Sequence, residues 1–132
     1  MAVDGLVVRA SGHEVKETID RVEAALEAKG VAVFARIDHA AGAKSVGMEL
    51  RPTQLIIFGN PKAGTPLMQA AQSIGIDLPL RALAWQDEAG AVWLGYNDVR
   101  WLAARHGLGE AAAPAVEALA AFLANLASEA IG

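Results

Sequence analysis

The sequence predicts an α+β domain: a mainly antiparallel sheet with helices on one face, in the order strand, helix, four strands, helix. Three observations carry this. Val15, Ile19, Val22 and Leu26 recur at the spacing of one helical stripe. Leu80 to Gln86 and Ala91 to Tyr96 flank Asp87-Glu88-Ala89-Gly90, which reads as a hairpin loop with glycine placed for positive φ. Val116, Leu119, Leu123, Leu126 and Ala130 then form a second, longer stripe near the end of the chain.

Taken in order, Leu6 to Ala10 is a short β-branched run and reads as a strand. Ser11-Gly12-His13-Glu14 matches a capping box, in which Ser and Glu would reciprocally satisfy free N–H groups. The helix that follows carries Lys16/Asp20 and Glu17/Arg21 pairs on its outer side and ends at Gly30. Val31 to Ile37 alternates, with Val31, Val33 and Ile37 expected on one face and Arg36 on the other. Asp38 to Lys44 is small and polar, a loop with room for a helical turn. Thr53 to Phe58 reads as the next strand, and its continuous apolar run Leu55 to Phe58 suggests a central position covered on both faces.

The corner after that strand, Gly59-Asn60-Pro61-Lys62-Ala63-Gly64-Thr65-Pro66, leads into Leu67, Met68, Ala70, Ala71 and Ile74. Thr65 suits an N-cap and Pro66 the first helical position, so the helix is expected to start there and to stop near Gly75. Such a corner aims backbone N–H groups outward at the positive end of a helix, which suits an anion or a carbonyl. It is a near miss for a phosphate loop, because no lysine follows Gly64 and Pro61 lacks an N–H. Asn97-Asp98 caps a short helix, Val99 to His106, closed by Gly107, and the last helix starts around Ala111.

The 132 residues fit one domain, residues 1–132, with 54% hydrophobic residues to fill a core. Eleven basic and fifteen acidic residues are interspersed, giving a net charge of −4 and no basic cluster for nucleic acid. There is no cysteine, hence no disulfide or thiol chemistry. The stretch Ala111 to Ala127 is alanine-rich and broken by Pro114, Glu117 and Asn125, so a core helix is expected and no membrane span. Met1 to Gly5 lacks a charged region followed by an apolar signal core, and a cytoplasmic protein is expected.

Of three histidines, His13 sits beside a helix start and His106 at a helix C-terminus, where the dipole favours a cation. His39, beside Asp38 at a strand end, is the best placed for acid/base chemistry, with Asp38, Glu49 or Asp98 as partner. No histidine pair has metal-helix spacing, so no metal site is expected, and no cofactor is legible. No G-x-S-x-G elbow is present, which disfavours a hydrolase of that kind. Asn60, Asn97 and Asp98 end predicted strands and could converge on one rim with His39, although capping alone would explain them. Trp85, Trp93, Trp101 and Tyr96 read as core or dimer contacts, with an apolar pocket floor as the alternative.

Gly59-Asn60-Pro61, Gly64-Thr65-Pro66-Leu67-Met68, Asp77-Leu78-Pro79-Leu80, Tyr96-Asn97-Asp98 and Arg105-His106-Gly107 together resemble the bacterial domain of unknown function 302 family. Asp38 to Ala43 and Leu50-Arg51-Pro52-Thr53 also look like that family, and Val99 departs from the proline found after its Asn-Asp. The resemblance implies a fold similar to one repeat of the TATA-binding protein, often as a homodimer, and no DNA binding, since fold does not carry function. The reading that emerges is a homodimeric domain binding a small acidic or carbonyl-bearing ligand through Gly59, Asn60, Gly64, Thr65, Tyr96 and Asn97. An acid/base enzyme using His39, and a ligand-free interaction module, are the alternatives.

Overall fold

The computed structural model describes residues 2–132. Its elements are β1 (Leu6–Ser11), α1 (Val15–Ala28), β2 (Ala32–Asp38), α2 (His39–Ser45), β3 (Thr53–Gly59), α3 (Pro61–Ala70), a 3₁₀ turn (Gln72–Asp77), β4 (Leu80–Gln86), β5 (Val92–Asn97), α4 (Val99–Arg105) and α5 (Ala113–Ile131). The five strands form one sheet in the order β1-β5-β4-β3-β2, and every neighbouring pair is antiparallel. The α+β architecture and the strand, helix, four strands, helix order are as the sequence predicts.

α1 and α5 pack side by side on one face of the sheet. Val15, Ile19, Val22 and Leu26 of α1 are buried, as are Val116, Leu119, Leu123, Leu126 and Ala130 of α5. They meet Ile56, Phe58, Leu80, Ala82, Ala84, Leu94 and Tyr96 from the sheet. The segment Glu110–Ile131 is long and apolar enough to cross a membrane, yet its apolar stripe is used against this core. Gly30, at φ +70°, closes α1 with the paired bonds of a Schellman ending: its N–H donates to Glu27 O, and that of Val31 to Leu26 O.

Local chemistry departs from the sequence reading at four places. No capping box forms at α1: Ser11 Oγ instead accepts from the His13 N–H and lies 2.7 Å from Thr18 Oγ1, the buried polar side chain of that helix. Lys16 pairs with Asp20, but Arg21 turns away from Glu17 to donate to the carbonyls of Ala130 and Glu129 at the end of α5. In β2 the register shifts between Val33 and Ala35, so the expected alternation breaks. Arg36 faces α1, bonding Asp20 and Glu23, while Phe34 and Ile37 stand exposed.

The fourth departure is the corner after β3. α3 begins at Pro61, not at Thr65-Pro66, because Asn60 is the cap: its Oδ1 accepts from the Lys62 N–H at 3.0 Å. Pro66 therefore sits inside the helix. The helix also stops sooner, at Ala71, whose extended backbone hands the chain to the 3₁₀ turn Gln72–Asp77.

Candidate functional site

Antiparallel pairing decides which strand ends meet. β3 and β5 both run antiparallel to β4, so Gly59 and Asn97 end at the same edge of the sheet. β2 runs the other way, with Ala32 opposite Gly59 and Asp38 opposite Gln54. His39 is thus carried to the far edge, about 20 Å from Asn60 at roughly 3.3 Å per residue of strand. The expectation that His39, Asn60 and Asn97 share one mouth is overturned by the single reversal of chain direction between β2 and β3.

The polar side chains proposed from sequence are largely committed to local structure. Asp38 caps α2, accepting from the Ala41 N–H, and Asp98 caps α4, accepting from that of Arg100. His39 is exposed, has no hydrogen-bonding or ionic partner among the described residues, and lines neither cleft described below. An acid/base centre at His39 with Asp38, Glu49 or Asp98 is therefore not assembled among the described residues. Tyr96 is buried beneath the helices, where burial pushes its phenol up, and Asn97 pairs with Leu6. Neither lines a cleft with the Gly59–Thr65 corner. The four aromatics also part: Trp85 and Trp93 are cross-strand partners on the open sheet face, Trp101 packs on Gly5, and Tyr96 is in the core.

Gly59, Asn60, Gly64 and Thr65 do come together. They border a cleft of about 760 Å³ between the corner, the start of β4 and the outer side of α5. Its walls are apolar, formed by Phe34, Phe58, Met68, Leu78, Leu119 and Phe122. The walls come close at Gly59, where a Cβ would stand in van der Waals contact, 3.4 Å from the Phe34 ring and 3.5 Å from Pro79. The backbone N–H groups of the corner are not available to an anion, however. Those of Ala63 and Gly64 both donate to Asn60 O, that of Lys62 goes to the Asn60 side chain, and Pro61 has none.

What the rim offers is side chains. The Asn60 amide nitrogen, the Lys62 ammonium and the Thr65 hydroxyl have no hydrogen-bond partner among the described residues, and all border the cleft. Lys29, on the opposite lip, is held by Glu129 at 2.7 Å. The cleft is therefore an apolar slot with hydrogen-bond donors gathered at one end.

A second, wider groove of about 1490 Å³ lies at the far edge and mixes apolar side chains with His13, Lys16, Asp38, Lys44, Glu49 and Arg51. Among the described residues no group of three or more His, Cys, Asp or Glu side chains is placed to hold a metal.

One constellation escaped the sequence reading. His106 does not serve the end of α4 with its ring. Its Nε2 lies 2.6 Å from Asp77 Oδ2 and its Nδ1 2.8 Å from Ser73 Oγ, while Arg105 Nη1 donates to both Asp77 oxygens. Asp77 and Arg105-His106 stand out in sequence only as separate motifs. Their meeting depends on α4 packing beside the 3₁₀ turn.

Residues 7–126 match the family described as domain of unknown function DUF302. The chain belongs to that family. The crystal structure of an uncharacterized conserved DUF302 protein from Bacillus stearothermophilus superposes with a TM-score of 0.76 over 98% of this chain and 97% of the other, at 18% identity, so the likeness is one of fold. Among curated proteins, fluoride-specific ion channel FluC 1 of Brucella suis is 56% identical over 115 residues, covering 87% of this chain and 45% of that protein. FluC 2 of Brucella melitensis is likewise 56% identical, with 43% of its length covered. The chain thus spans less than half the length of these relatives.

Proposed function

We propose that this domain binds a small amphipathic molecule with a carboxylate or carbonyl at one end, in the cleft beside the Gly59–Thr65 corner. The observation that supports this is the pairing of an apolar slot with three unengaged donors, from Asn60, Lys62 and Thr65, at its rim. Apolar lining supplies affinity through area removed from water, and a few placed polar groups supply orientation. Lys62 replaces the backbone N–H groups as the reason for an acidic preference. Decanoate is a suitable probe: isothermal calorimetry should show saturable binding, lost when Ala118→Trp fills the slot. Lys62→Glu should weaken it about tenfold or more, the scale of one charge-assisted hydrogen bond. No heat with decanoate, or heat unaltered by Ala118→Trp, would refute the reading.

The FluC relatives bear on context. An open sheet with free edges leaves backbone groups unsatisfied in lipid, and α5 spends its apolar stripe on the core. We therefore infer that the matched part of those relatives is a non-pore module, and that channel activity resides in the sequence this chain does not cover.

A second reading concerns assembly and is favoured by the open sheet face. Ile37, Leu55, Leu83, Gly95 and Val8 are successive cross-strand partners, one from each strand, and form an apolar row across that face. Trp85 and Trp93 pair in the next row. Contiguous apolar surface of this kind marks an interaction site, and a homodimer through this face is the reading it supports. Sedimentation equilibrium at micromolar concentration should give twice the mass of the chain; a monomer would exclude it.

A further inference from the structure

We propose that Ser73, His106 and Asp77 form a nucleophilic relay that makes Ser73 reactive toward small, solvent-borne esters. The direction of the chain follows from what each group can do. An ionised carboxylate only accepts hydrogen bonds, so Asp77 Oδ2, 2.6 Å away, draws the imidazole proton to Nε2. Nδ1 is then left with its lone pair, and the Ser73 hydroxyl at 2.8 Å donates to it. That is a nucleophile, a base and a group orienting the base, the logic of a serine triad with the two ring nitrogens exchanged.

The surroundings fix the base more firmly than the nucleophile. His106 is 8% exposed and Asp77 16%. Asp77 is braced by Arg105, with contacts at 2.8 and 2.9 Å. Ser73 itself is exposed and lines neither cleft, so the substrate is one that approaches from solvent and is small. Ser73 and Asp77 belong to the same short 3₁₀ turn, and His106 reaches between them from the end of α4.

The chemistry closes without a further reagent. Ser73 Oγ attacks the ester carbonyl carbon as its proton passes to His106 Nδ1. Collapse of the tetrahedral adduct breaks the bond to the leaving alcohol, which takes that proton. Water then attacks the acyl-serine, again giving its proton to Nδ1, and the acid departs as Ser73 regains its hydrogen.

p-Nitrophenyl acetate tests this, read by nitrophenol release and by peptide mapping of the acetylated residue. Acetylation should fall on Ser73 and be abolished by Ser73→Ala, an exposed substitution whose fold is checked by circular dichroism. His106→Gln should slow release by about a hundredfold or more, the scale of general-base catalysis. Asp77→Asn, which alters a positioning residue, should cost less than His106→Gln. In Ser73→Cys, iodoacetamide labelling should depend on His106 in the same way. No acetylation of Ser73, release unchanged in Ser73→Ala, or a rate indifferent to His106 would each overturn the proposal and identify the contact as a structural clasp.

Discussion

On the helix-covered face of the sheet, Ile56, Phe58, Ala84 and Leu94 are removed from solvent, whereas Leu55, Ile57, Leu83 and Trp85 on the opposite face are only half-buried. The two faces use the same residue types. What differs is the partner: one face packs against α1 and α5, and the other is covered by neither of them. Composition therefore sets how apolar a strand is, while the packing of distant helices sets which apolar residues stabilise the monomer.

Substitutions that treat matched positions on the two faces sharpen this contrast. Phe58→Ala empties a fully buried site and should cost about 3–5 kcal/mol in denaturant-induced unfolding. A loss below about 1 kcal/mol would mean that the core does not close on β3 as described. Gly95→Ala acts on the open face, where an added Cβ would stand 3.0 Å from Trp85 Cζ3. It should cost about 1–3 kcal/mol and change the tryptophan emission as the ring lifts, the behaviour of an overpacked contact.

Leu83→Lys tests the open face as an interface. It should convert the proposed dimer to a monomer in sedimentation while altering the stability of the folded chain by about 1 kcal/mol or less. A large loss of stability would instead make that face part of the monomer's own core.

The smallest effect belongs to the charged border between α1 and β2. Lys16, then Arg36, hold the Asp20 carboxyl below the usual carboxylate range. A depressed carboxylate contributes stability above its unfolded value, near 3.8, and loses it as pH falls through the lower folded value. Asp20 is 41% exposed, so the contribution should be under about 1 kcal/mol. Asp20→Asn should remove it, flattening the acid limb of stability without moving the neutral-pH midpoint by more than that amount.

The asymmetry between legible and hidden features follows the range of the forces involved. α1, the hairpin and α5 were readable because periodicity and turn chemistry are written within one element. In the hairpin, Asp87 uses its carboxylate locally, taking the Ala89 and Ala91 N–H groups and the Trp93 indole, with Gly90 at φ +87°. The start of the helix after β3 is not legible because two prolines, Pro61 and Pro66, both suit a first turn, and only Asn60 capping Lys62 decides between them. The bulge in β2 is equally hidden, since nothing within Val31 to Ile37 tells an unbroken strand from one with an extra residue between Val33 and Ala35.

Sequence by itself determined the fold class, the family and the apolar stripes of α1 and α5. Only the tertiary structure decided that His39 lies at the opposite edge from Asn60, because the direction of each strand depends on its neighbours and not on its residues. It also decided that Ser73, Asp77 and His106 meet. Hydrogen bonds between side chains about thirty positions apart leave no periodic trace, and they exist only once α4 has docked beside the 3₁₀ turn.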